Sequence, residues 1–195
     1  MDIIIKNLCK SYGNSAVLKN INIAFPIGKI TCLMGKSGAG KTTLLNILMG
    51  LEKADIGTIE NMPEYKSAVF QENRLCENFS VLTNIKIVNN SLSQAEIQNH
   101  LKQVGLEDSA NRKIYELSGG MKRRIALVRA VMAKSDIIFL DEPFKGLDVQ
   151  TKQLVIKYLL NNINNKTVIL VTHNSDDAKQ LNGNILYLEN NKITN

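Results

Sequence analysis

No apolar run in this sequence approaches the roughly 20 residues that a membrane helix requires. Short clean apolar strings such as IIFL at 137–140 and VILV at 168–171 suit buried strands instead. Cysteine is scarce. Cys9, Cys32 and Cys76 are odd in number and widely spaced, with no C-x-x-C pair. This excludes a disulfide framework and reads as reduced thiols, with Cys32 in the core. The opening MDIIIKNL carries an acidic second residue and no small-residue cleavage site, which argues against a secretory signal. No repeat, low-complexity tract or linker stands out. The net charge is +6, but the lysines are scattered and the one tight basic cluster is at 122–124. Such a distribution argues against a nucleic-acid partner and is compatible with docking near acidic headgroups.

What is present is ordinary in bulk: 195 residues, 44% apolar and 22% charged. That suffices for one well-buried domain, or one carrying a modest insertion. Strand candidates open the chain at 3–8 and 17–25, the second alternating imperfectly through Val17, Ile21, Ile23 and Phe25. Pro26-Ile27-Gly28 reads as a turn. An apolar strand at 29–34 and a helix at 42–49 follow, with Gly50 as the helix stop. Short strands are expected at 58–60 and 66–70. From Glu72 the character changes. Ser93 and Glu96 form a capping box before Ile97, Leu101 and Val104, and Gly105 closes that helix. A further helix is expected at 120–133, and the residues from about 72 to 133 read as a small helical insertion. Strand and helix then alternate: strands at 137–140, 166–171 and 185–189, helices at 149–160 and 175–181. This order predicts an α/β fold built on a parallel sheet.

Two short strings carry the most chemistry. GKSGAGKT at 35–42 satisfies G-x-x-x-x-G-K-[ST], and it sits between an apolar strand and a helix, the context that confirms a phosphate loop. Gly35, Gly38 and Gly40 let the backbone N–H groups of Lys36, Ser37, Ala39 and their neighbours wrap a phosphate. Lys41 is expected to reach the β- and γ-phosphates, Thr42 to coordinate Mg²⁺, and Thr43 to complete the cradle. The string at 137–143, IIFLDEP, delivers two carboxylates at a strand end. Asp141 suits a water-mediated contact to Mg²⁺, and Glu142 suits the base that activates a water. LSGG at 117–120 places Ser118 before Gly119 and Gly120 at a helix start, a second place for an anion.

Phosphate loop, acidic strand end and LSGG in this order make the chain resemble an ATP-binding cassette (ABC) ATPase over essentially its full length, as one ATP-binding domain at 1–195. The resemblance implies a P-loop NTPase fold of ABC type, with a mostly parallel core sheet, an antiparallel N-terminal β part and the small helical insertion, and with ATP and Mg²⁺ as ligands. It implies that Tyr12 stacks on adenine, and that Gln71 senses Mg²⁺ and the attacking water. It further implies that Ser118, Gly119 and Gly120 bind the γ-phosphate of ATP held by a second copy. By the same match, Gly146-Leu147-Asp148 crosses the dimer interface and His173 contacts the γ-phosphate. His100, outside these motifs, is expected at the surface.

Met121 in LSGGM, VFQENRL at 69–75 and DEPFKGLDVQTK at 141–152 are most similar to importer ATPases of the nitrate/sulfonate/taurine type. Lys36 and Lys145-Gly146 depart from the commoner residues there, removing no phosphate or metal ligand. The chain ends 22 residues after His173 (195 − 173), too few for a regulatory C-terminal domain. The resemblance implies a homodimer docked on a separate transmembrane permease, at the cytoplasmic face of the membrane, with an extracytoplasmic solute-binding protein. An exporter or lipoprotein-release ATPase is the alternative. A non-transport ABC ATPase acting on DNA or ribosomes fits less well: 77 positions separate Lys41 from Ser118 (118 − 41), without sustained heptads. A simple P-loop kinase leaves LSGG, Gln71 and His173 without a role.

Overall fold

Apolar alternation in the first 25 positions folds as a hairpin of β1 (Ile3–Tyr12) and β2 (Ser15–Phe25). Ile3, Ile5, Leu8, Leu18, Ile21 and Phe25 are buried. The imperfect alternation has a cause. Asn7 (φ 50°) and Asn20 (φ 51°) take the left-handed conformation, which asparagine tolerates better than most residues, and the pairing register shifts between Ile5 and Leu8. A third strand, β4 (Ile56–Glu60), pairs antiparallel with β1, giving the order β2-β1-β4.

The structure is a computed structural model that describes every residue except 164, 190, 191 and 195. It divides into two units: Met1–Lys66 with Asp136–Glu142 and Asn165–Asn195, and Ser67–Ser135 with Pro143–Asn164. In the first unit β6 (Ile137–Asp141), β7 (Thr167–Val171), β3 (Ile30–Met34) and β8 (Asn184–Glu189) run parallel in that order. β9 (Lys192–Thr194), which no sequence pattern marks, pairs antiparallel with β8. Every residue of β6 and β7 is buried, as unbroken apolar strings in a parallel sheet require. Cys32 is fully buried on β3, and burial pushes its thiol pKa up to about 12. Helix α1 (Lys41–Met49) buries Leu44, Leu45, Ile47 and Leu48, packs on β6 and stops at Gly50 in the left-handed conformation. The short helix α6 (Ser175–Gln180) precedes β8.

β5 (Lys66–Val69) leads into the second unit, which holds α2 (Val81–Lys86), α3 (Gln94–Gln103), α4 (Gly119–Met132) and α5 (Val149–Asn162). This unit contains the segment expected as an insertion and takes in α5 as well. The capping box at Ser93 and Glu96 is present in full. α2 is capped by Ser80, and its buried Asn84 bonds the backbone of Cys76 and Ser80.

The surface placement expected for His100 is wrong. Its Nδ1 lies 2.9 Å from the hydroxyl of Tyr158, with the rings edge to face, and the imidazole is half-buried. Periodicity marks apolar faces and cannot show that α5 brings a buried tyrosine over this position. Burial lowers the His100 pKa below 6.5, with Glu96 opposing weakly. The unfolded chain therefore binds more protons just below that value, so stability is full above about pH 6.5 and falls as pH drops toward the folded pKa. His100→Gln is expected to flatten the decline in Tm between about pH 7 and 5.5, read by thermal melts.

Candidate nucleotide-binding site

The phosphate loop turns out of β3 at Gly35, whose φ is 146°. An added Cβ there would lie 2.2 Å from the carbonyl oxygen of Leu188. Gly40 (φ 97°) is the N-cap of α1 and supplies no side-chain cap, and no acidic residue occupies the first turn. The N–H groups opening α1 are thus left for an external acceptor, and the helix dipole favours an anion there. Lys41 is buried, its ammonium donating to the carbonyls of Gly35 (2.8 Å) and Lys36 (2.9 Å). Lys36, Ser37 and Gly38 are exposed along the rim, and Ala39 N–H closes the turn on Lys36 carbonyl at 3.2 Å. Thr43 follows, half-buried, on α1.

At the end of β6 the Asp141 carboxylate accepts from the Thr42 hydroxyl at 3.0 Å. Hydroxyl and carboxylate oxygens are the hard donors that Mg²⁺ takes, and no group of three or more His, Cys, Asp or Glu suited to a metal occurs among the described residues.

Glu142 takes φ 49°, a conformation strained for a non-glycine residue and costing about 1–3 kcal/mol. Its N–H donates to Val171 carbonyl at 3.0 Å, and its Oε1 lies 2.9 Å from His173 Nδ1. The glutamate side chain is 14% exposed and the histidine 73%, so the pair offers a shielded carboxylate and an open imidazole. The turn carrying His173 is fixed by residues that sequence reasoning missed. Thr172 Oγ1 donates to buried Asp177 at 3.1 Å and accepts from Asn174 N–H at 3.1 Å.

Tyr12 ends β1 and is 48% exposed, with the Lys10 ammonium 5.2 Å from its ring centroid. The first unit therefore brings together the loop, Lys41, Thr42, Asp141, Glu142 and His173, with Tyr12 at the hairpin tip. Gln71, Ser118, Gly119 and Gly120 belong to the second unit. Gln71 is exposed beyond β5. Ser118 is the N-cap of α4, accepting from Met121 N–H at 3.3 Å, and the first turn holds no acidic residue. Asp148 caps α5 in the same manner, through Thr151 N–H at 2.9 Å, and the hydrogen bonds from Thr151 hold its carboxyl below the usual range. The basic cluster at 122–124 is engaged inside the unit. Lys122 pairs with Glu77 at 2.8 Å, Arg123 is buried, and Arg124 donates to Val104 carbonyl at 2.7 Å.

The profile of the ABC transporter family matches residues 18–145. The chain belongs to the ABC transporter family. As an ABC ATPase it binds and hydrolyses ATP. It is 33% identical over 207 residues to the tungstate uptake system ATP-binding protein TupC of Peptoclostridium acidaminophilum, covering 99% of this chain and 97% of that protein. It is 36% identical over 198 residues to the aliphatic sulfonates import ATP-binding protein SsuB of Corynebacterium glutamicum, covering 97% and 81%. Among solved structures it is similar to the dimeric form of MJ0796, a bacterial ABC transporter cassette, with TM-score 0.85, 30% identity and coverage of 99% and 97%. The ABC-type α/β fold, with its parallel sheet and antiparallel β part, is the one the motif order implied.

Proposed function

We propose that this ABC ATPase powers solute import as a homodimer docked on a separate transmembrane permease, its two units serving as one ATP-binding domain. The importer reading is supported by the uptake and import functions that the relatives' names carry. No helix among the described residues is long and apolar enough to cross a membrane, so the solute path belongs to the permease. An extracytoplasmic solute-binding protein would deliver the solute, with this chain on the cytoplasmic side.

The observation that carries the dimer is the pair of glycines behind Ser118. Neither takes positive φ. A Cβ at Gly119 would meet nothing within 4 Å, and one at Gly120 would make an ordinary 3.7 Å contact with Leu147. Glycine in a helix is about 1 kcal/mol less favourable than alanine, and packing within the chain gives no return for it. Bare glycines at a helix start allow close approach by a group from outside, here the γ-phosphate of ATP seated on a second copy.

In this reading Lys41 meets the phosphates, and the first N–H groups of α1 bind their oxygens. Thr42 and Asp141, with Gln71, would hold Mg²⁺, which neutralises charge on the triphosphate when bound. Glu142 accepts the proton of the attacking water, and His173 orients that carboxylate and meets the γ-phosphate from the open side. Tyr12 stacks on adenine. Hydrolysis removes the charge joining the two copies, and that difference between states drives the cycle.

ATPase activity reconstituted with its permease is expected to rise several-fold over the free protein. Equal rates with and without that permease would refute the transport reading. Lys41→Ala is expected to weaken ATP binding by about 10–100-fold, the loss of a charge-assisted contact of about 1.5–3 kcal/mol, measured with a fluorescent ATP analogue.

A further inference from the structure

An arginine with 4% exposure is an expensive thing to bury unless its donors are met. Arg123, the third residue after Gly120, meets them with backbone carbonyls. Its guanidinium donates to Phe70, to Gln71 at 3.3 Å and, through Nε, to Pro143 at 3.0 Å, and also reaches Asn73 Oδ1 at 3.3 Å. Six residues along α4, Arg129 donates to the carbonyls of Arg74 at 2.9 Å and Asn73 at 3.3 Å. Upstream, Ser67 Oγ donates to Ala130 carbonyl at 2.9 Å. The stretch from Ser67 to Arg74 is thus fastened along α4 at several points, and Arg74 (φ 46°) stacks its guanidinium 3.8 Å from the Phe70 ring centroid. Within this fixed stretch the Gln71 side chain is exposed.

We propose that Arg123 is the positioning residue for Gln71. The guanidinium registers the backbone that carries the glutamine against the same helix whose N-cap is Ser118. A displacement of that helix start therefore carries Gln71 with it, and the two groups read one nucleotide state together. The planar fork of arginine suits this task because it serves several carbonyls at once, which a lysine ammonium on a flexible stem does not. The carbonyls of Phe70 and Gln71 belong to the two peptides that flank the Gln71 Cα, so losing the fork frees the backbone that sets the direction of the glutamine. The inference rests on the role given to Gln71 above.

A four-protein cycle on ATP turnover tests it: wild type, Gln71→Ala, Arg123→Gln and the double variant. Gln71→Ala is expected to lower kcat by about tenfold or more. Arg123→Gln should lower kcat about tenfold with KM for ATP within about twofold, as for an interaction made in the transition state. The double variant should turn over no more slowly than Gln71→Ala alone. Fold-losses that multiply would overturn the proposal, since Arg123 would then act independently of Gln71. Wild-type turnover by Gln71→Ala would remove the role of Gln71 itself, and the proposal with it. Should Arg123→Gln not fold, Arg123→Lys replaces it in the same cycle. Amide hydrogen exchange supplies a second readout: residues 71–74 should exchange about tenfold faster in the variant while α1 is unchanged. Unchanged protection at 71–74 would overturn the assignment.

Discussion

Glu142→Gln is expected to slow ATP hydrolysis by about 10²–10⁴-fold, the usual range for removing a general base. At roughly 1.4 kcal/mol per tenfold this is about 3–5 kcal/mol of barrier. The substitution keeps the shape of the side chain and removes its capacity to take a proton. Its partner at 2.9 Å, His173 Nδ1, can still bond to the amide. ATP binding should persist, because Lys41, Thr42 and the loop glycines are untouched. The nucleotide then stays intact between two copies, so the ATP-loaded variant should elute as a dimer from a sizing column. A monomer with full turnover would strip Glu142 of its role and the sandwich of its support. The strain at φ 49° gives a further check. Glu142→Gly should lose turnover to a similar degree while relieving about 1–3 kcal/mol of backbone strain, visible as a raised Tm.

Gly35→Ala is expected to destabilise the first unit by about 4 kcal/mol, the sum of overpacking and backbone strain. The added methyl would sit 2.2 Å from Leu188 oxygen, on the neighbouring β8. That oxygen is backbone and cannot rotate away. Either β8 moves from β3 or the loop lifts from its strand, and both disturb the cradle. Denaturant unfolding should show a lowered midpoint, with ATP affinity falling in parallel. Gly38→Ala supplies the contrast, since its Cβ would meet nothing within 4 Å. There the penalty reduces to the conformational strain of φ 79°, about 1 kcal/mol.

The parts of this molecule legible in sequence are those whose chemistry is local. The phosphate loop announces itself because one turn needs glycines, a lysine and a threonine within eight positions, between an apolar strand and a helix. The capping box at Ser93 and the strand end at Asp141 are local in the same way. What stayed hidden depends on partners brought from far along the chain. Glu142 meets His173 across 31 positions, and neither residue's neighbours encode the other. Arg123 stands in the one tight basic cluster of the sequence, and its burial is decided by backbone carbonyls some 50 positions upstream. His100 went astray for the same reason, its partner Tyr158 lying 58 positions away. β9 is three residues long, too short for any alternation to show.

The two bonds from Lys41 to the carbonyls of Gly35 and Lys36 have one more consequence. The loop gives up its conformational freedom to an internal cation. Binding then meets a preorganised ring rather than ordering a slack one, which lowers the ordering penalty of association. Capture of ATP by this cassette should therefore carry little contribution from the freezing of glycines.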